Sequence, residues 1–106
     1  MVVELDVFSG RPNPRWELDD RSCLELRQLQ HRLTSTGDVP QEPPGLGYRG
    51  FVYADSGANT RAYRGFVTTS HEVLADPTFS IERFLLARLP EPYAALREKV
   101  ESVLAR

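Results

Sequence analysis

The side chains best suited to chemistry here are arginines set among aromatic residues. Arg11 stands between Phe8 and Trp16 with Asn13 close by, Arg49 follows Tyr48, and Arg61 and Arg64 flank Tyr63. A guanidinium offers a flat fork of donors that fits a carboxylate or phosphate and stacks on rings. Several of them beside Tyr and Trp suit an acidic ligand or a peptide C-terminus. Bases and nucleophiles are sparser. Glu4 and Asp6 could work as an acid–base pair if their strand face lined a cleft, although a solvated outer face explains them more simply. His31, His71 and Cys23 form no local ligand set, so neither a metal nor a cofactor is expected. No Gly-x-Ser-x-Gly turn occurs, and Gly45-Leu46-Gly47 lacks the lysine and helix start of a phosphate loop. A Ser–His–Asp or Cys–His set that meets only in space stays open, and no catalytic residue is assigned.

These arginines need rigid supports. The run Phe8-Ser9-Gly10-Arg11-Pro12-Asn13-Pro14-Arg15-Trp16 supplies one. Each proline fixes its own φ and pushes the residue before it towards extended backbone, so Arg11 and Asn13 sit in a stiff loop. Trp16 either faces a ligand or anchors the loop to the core with its N–H bonded to a carbonyl. A second support is an internal echo, in which Tyr48-Arg49-Gly50-Phe51-Val52 recurs as Tyr63-Arg64-Gly65-Phe66-Val67. Both copies are rich in strand formers, with turn chemistry over Asp55 to Asn59 between them, and a β-hairpin is predicted. With Ser56 to Asn59 as the loop, Gly50 would face Gly65, and Phe51 and Phe66 would oppose Arg64 and Arg49. The paired glycines would leave bare backbone between Tyr48 and Tyr63.

Elsewhere, Val3, Leu5 and Val7 alternate with Glu4, Asp6 and Phe8, the period of a half-buried strand. Asp19 or Asp20 caps a helix running to about Leu33, with Leu26, Leu29 and Leu33 as its core stripe and Cys23 a buried filler. Thr34 to Gly47 is a long connection without regular structure, the kind that is often functional. Glu72 to Ala75 extends a strand or merely links. Ile81, Phe84, Leu85 and Leu89 suit a short buried helix capped by Thr78 or Ser80. After Pro90 and Pro92, a last helix carries Tyr93, Leu96, Val100, Val103 and Leu104 inward, with Glu98, Lys99, Glu101 and Arg106 on its wet face. The prediction is one α+β domain over residues 1–106: a small antiparallel sheet of about three strands with helices on one face, in the order β-α-β-β-α-α. Such a sheet leaves edges for dimerisation or for capture of an extended peptide as an added strand.

Composition narrows the partners. A 106-residue chain holds one hydrophobic core, and a dimer would add burial. A net charge of −2 argues against nucleic acid, which needs clustered basic surface. Of the 13 basic residues only Lys99 is lysine, a bias that a genome rich in G and C explains more simply than binding does. No apolar run approaches the roughly 20 residues that span a bilayer, and no N-terminal signal is visible. One cysteine precludes an internal disulfide and fits a cytoplasmic setting.

The string Leu5-Asp6-Val7-Phe8-Ser9-Gly10-Arg11-Pro12-Asn13-Pro14-x-Trp16, with Leu46-Gly47-Tyr48-Arg49-Gly50-Phe51 later, resembles small bacterial proteins and is similar to accessory proteins of peptide natural-product pathways, the crocagin type among them. That resemblance covers about a fifth of the chain. It implies a non-catalytic partner that holds a peptide, and it carries no catalytic residue with it.

Three functions are therefore carried forward. The first is a binding module, dimeric, that holds an extended peptide or acidic ligand by strand addition and by a surface of Arg11, Asn13, Trp16, Tyr48, Arg49, Tyr63 and Arg64. The second is a small isomerase or lyase using His71 or the Glu4/Asp6 pair at a dimer interface. The third is an immunity or assembly protein that meets its partner through its helices.

Overall fold

The computed structural model of the chain describes residues 1–55 and 57–105. Alternation sets the opening strand: β1 (Val2–Leu5) drives Val3 and Leu5 to 0% exposure, while Glu4 emerges on the other face. The proline loop then doubles the chain back as β2 (Arg15–Glu17), antiparallel to β1 with Trp16 opposite Val3. The Asp19 carboxylate takes the N–H of Ser22 at 2.7 Å and starts α1 (Asp20–His31), which buries Ser22, Cys23 and Leu26. After β3 (Thr34–Ser35) comes a connection without regular structure as far as Gly50.

Four strands follow in a meander: β4 (Phe51–Asp55), β5 (Ala58–Tyr63), β6 (Phe66–Thr68) and β7 (Val73–Ala75). Next is α2 (Ser80–Leu86), entered through Phe79 at φ 57°. Its first turn is capped by Asp76, whose carboxylate takes the N–H groups of Ser80 and Ile81 at 3.1 and 2.9 Å, and neither Thr78 nor Ser80 is the cap. A 3-10 turn at Glu91–Tyr93 leads into α3 (Ala94–Leu104), which buries Leu96, Val100 and Leu104. Arg106, expected on the wet face of this helix, lies outside the described residues.

The α+β class holds, but about three strands in the order β-α-β-β-α-α does not. All seven strands form one antiparallel sheet in the order β2-β1-β4-β5-β6-β7-β3. Register makes one row of Leu5, Phe51, Ala62, Val67 and Leu74 across five strands, and this row is the sheet's share of the core. Side chains of all three helices join that core. The opposite row is Arg15, Glu4, Val52, Arg61, Thr68 and Val73, on the face away from the core.

The repeat is resolved differently from the predicted hairpin. Asp55 pairs with Ala58, not Thr60, so the β4–β5 loop is two residues long, and Ser56 within it lies outside the described residues. Phe51 consequently faces Ala62, not Arg64. The second copy is not a partner strand for the first but a turn of its own: Tyr63 pairs with Phe66 across Arg64 and Gly65, at φ 51° and 87°. Positive φ at both central residues is the combination that matches the twist of a two-residue hairpin. The strands that carry parts of both copies, β4, β5 and β6, all lie in the interior of the sheet. The edges are β2 and β3, three and two residues long, so the strand-addition flank expected beside the hairpin is covered by the chain itself.

Candidate functional site

Asn13 decides the shape of the proline loop. Its side-chain oxygen accepts the N–H groups of Val7 and Phe8 at 3.0 and 2.7 Å, and its amide donates to Glu4 and Asp6 at 3.0 and 3.2 Å. Two accepted and two donated bonds exhaust what an asparagine offers. Asn13 therefore builds the loop instead of facing a ligand.

Asp6 is the other centre. Arg49 reaches it through Nε and Nη2 at 2.9 and 2.8 Å, and Arg61 through Nη1 at 2.8 Å. Arg49 also donates to the carbonyls of Phe8 and Gly45, tying the loop to the long connection. Burial alone would raise the Asp6 carboxyl, but the two guanidiniums hold it below the usual carboxylate range. Arg49 is thus spent on structure.

The remaining expected site residues separate. Trp16 packs edge-on to Phe51 with ring centres 6.3 Å apart. Its buried Nε1 finds no acceptor among the described residues, in place of the carbonyl expected. Tyr48 and Tyr63 do come together, rings 5.7 Å apart, but both are buried, and the bare-backbone strip between them does not exist because Gly50 lies opposite no glycine. Arg64 sits in its turn with its N–H given to Glu82. Of Arg11, Arg49, Arg61 and Arg64, only Arg49 and Arg61 share a partner. His31 and His71 are exposed, and no group of three His, Cys, Asp or Glu residues gathers among the described residues.

Arg11 remains available. The loop holds it on the surface, where its guanidinium lies 3.7 Å from the centre of the Phe8 ring. Among the described residues it makes no hydrogen bond or ion pair to protein. It rims a groove of about 390 Å³ between the loop and α3, floored by Val7, Phe8, Tyr48, Val100 and Val103. Lys99 stands on the α3 side of the same groove and is likewise unpaired among the described residues. An apolar trough with two cations on its rim can hold an apolar chain bearing a carboxylate. Sequence reading placed Lys99 merely on a wet helix face. Its spacing from Leu96 and Val103, one turn to either side, was the only available sign that it borders an apolar stripe. No family model matches the chain, and no curated protein and no solved structure matches it significantly.

Proposed function

We propose that this chain is a non-catalytic binding module that holds an apolar, carboxylate-bearing peptide segment in the groove between the Phe8–Trp16 loop and α3. One observation carries the reading: Arg11 and Lys99 face an apolar groove with their charges unanswered by protein among the described residues. Elsewhere Arg27, Arg49, Arg61 and Arg88 each have a carboxylate partner. The likeness of the loop string to accessory proteins of peptide natural-product pathways supports the same ligand class and an accessory role.

The rival readings draw less support. A base is most useful near neutral pKa, whereas Asp6 is held ionised by two arginines and Glu4 is tied to Asn13 and Arg15. Contact through the helices would favour an exposed apolar patch on α3, but the large exposed apolar residues are Val2, Leu24, Val39 and Leu46. Among the described residues no helix is long and apolar enough to cross a membrane.

Calorimetric titration with an apolar peptide, compared with its C-terminally amidated form, tests the proposal. The free acid binds more tightly, and Arg11→Ala and Lys99→Ala each weaken it by about tenfold. Arg64→Ala leaves affinity unchanged. Equal affinity of acid and amide, or of wild type and Arg11→Ala, refutes the groove.

A further inference from the structure

The connection between β3 and β4 crosses the open face of the sheet. Pro40 and Pro43 are half-buried, while Val39, Gln41, Glu42 and Pro44 are exposed. A spacing of three matches the turn of an extended polyproline strand, which puts both prolines on one side. Beneath this strap lies a cavity of about 380 Å³, walled by Pro40, Pro43, Arg61, Tyr63 and Thr68, with Glu42 also on its lining. That volume falls in the range of small-molecule sites.

Arg61 is fixed there by one nitrogen. Its Nη1 donates to Asp6 at 2.8 Å and to the carbonyl of Arg49 at 2.6 Å, while Nε and Nη2 donate to no protein acceptor among the described residues. Those two atoms form the edge by which a guanidinium takes a carboxylate in parallel bonds. Arg27 uses the same edge here, holding Asp55 with two bonds of 3.0 Å. Asp6 must answer both Arg49 and Arg61, so the pair of guanidiniums keeps a positive excess. Glu42 is the strap's own anion, yet no ion pair ties it to Arg61 among the described residues.

We propose that the cavity under the strap is a second binding site, separate from the loop–α3 groove, and that it takes a small organic carboxylate. The carboxylate lies on the Nε–Nη2 edge of Arg61. The apolar body of the ligand lies against Tyr63 and the two prolines.

Titration of the isotope-labelled full chain, followed by the amide signals of Gln41 and Thr68, tests this with phenylacetate, its neutral isostere phenylacetamide, and inorganic phosphate. Phenylacetate shifts both signals to saturation, and the other two bind at least about tenfold more weakly. Arg61→Lys keeps a cation for Asp6 but lacks the fork, and weakens phenylacetate by at least about tenfold. Glu42→Gln, on the exposed strap, tightens it by about two- to fivefold by removing a like charge. Phenylacetamide binding as well as phenylacetate, or an unaltered Arg61→Lys, overturns the site, and phosphate binding as tightly overturns its assignment to a carboxylate with an apolar body. Saturable shifts at the Val7 and Val103 amides in place of Gln41 and Thr68 would move the ligand to the groove and also overturn it. If Arg61→Lys unfolds, Glu42→Gln decides: unchanged or weaker binding sinks the proposal.

Discussion

Tyr48 gives its hydroxyl hydrogen to Glu82 over 2.6 Å, and the same buried carboxylate takes the N–H groups of Arg64 and Gly65 at 2.7 and 3.1 Å. The two Tyr-Arg-Gly-Phe-Val copies thus share one side chain of α2, beside the contact between their tyrosine rings. Removing either end strands a buried polar group. Tyr48→Phe is expected to cost about 1–3 kcal/mol and Glu82→Gln about 2–4 kcal/mol, with strong coupling in the double variant. Urea unfolding measures all three, and additive costs would contradict the shared carboxylate.

Alkaline pH probes the same contact. Burial first, then the Glu82 carboxylate, pushes the Tyr48 phenol far above its ordinary value of 10.0, and burial does likewise to Tyr53. A phenol whose pKa is raised by folding contributes stability that is full below 10.0 and lost as pH climbs through the folded value. Phenolate absorbance from these two tyrosines should therefore appear only together with loss of the fold. Ionisation of Tyr48 in the folded protein near pH 10.0 would contradict the contact.

Acid pH has the opposite sign. Asp6 titrates below its ordinary 3.8 because Arg61 and Arg49 outweigh the effect of burial, so its stabilisation is present above that value and drains away as pH falls through the folded one. Asp6→Asn should lower stability at neutral pH by about 2–4 kcal/mol, since two partly buried guanidiniums lose their shared anion. It should also flatten the acid limb of the stability curve. Parallel acid limbs in variant and wild type would assign that limb to other carboxylates.

The Arg64–Gly65 turn predicts two substitutions of opposite sign. Arg64 sits at φ 51°, where asparagine is more at home, so Arg64→Asn should stabilise by about 0.5–1 kcal/mol. Gly65 at φ 87° has no room for a side chain, because a Cβ would meet the Phe79 ring at 2.7 Å, and Gly65→Ala should cost about 2 kcal/mol or more. Thermal unfolding of both variants distinguishes this turn from a plain strand, in which both changes would be mild.

Asn13→Asp would set a third carboxylate against Glu4 and Asp6 and forfeit both amide donations. The expected result is a loss of about 1–3 kcal/mol and faster hydrogen exchange at Val7 and Phe8. Because Asn13 shapes the loop without lining the groove, peptide affinity falls through disorder of Arg11. Wild-type exchange at those two amides would deny Asn13 its structural part.

The chain's local grammar was readable wherever an element was long enough to show its period. The Val3–Leu5 alternation, the Asp19 cap, the apolar spacing through α3 and the stiffness of the proline loop all follow from neighbours in sequence. Strands of two or three residues, such as β2, β3 and β6, carry too few side chains to display a period, and so the sheet was undercounted. The repeat shows the limit most sharply. Tyr-Arg-Gly-Phe-Val is the same string twice, yet it leads into β4 in one copy and turns a corner in the other.

The order of residues alone thus determined an α+β chain with a rigid Arg11 loop, an N-capped first helix and an amphipathic last one, because those properties depend on bonds and contacts within a few residues. Tertiary structure decided which arginines are spent and which remain free to bind. Arg49 is neutralised by Asp6, 43 positions away in sequence, whereas Arg11 meets only its neighbour Phe8. The charge state of a surface is a property of what packs beside it, and only the folded chain brings those partners within reach.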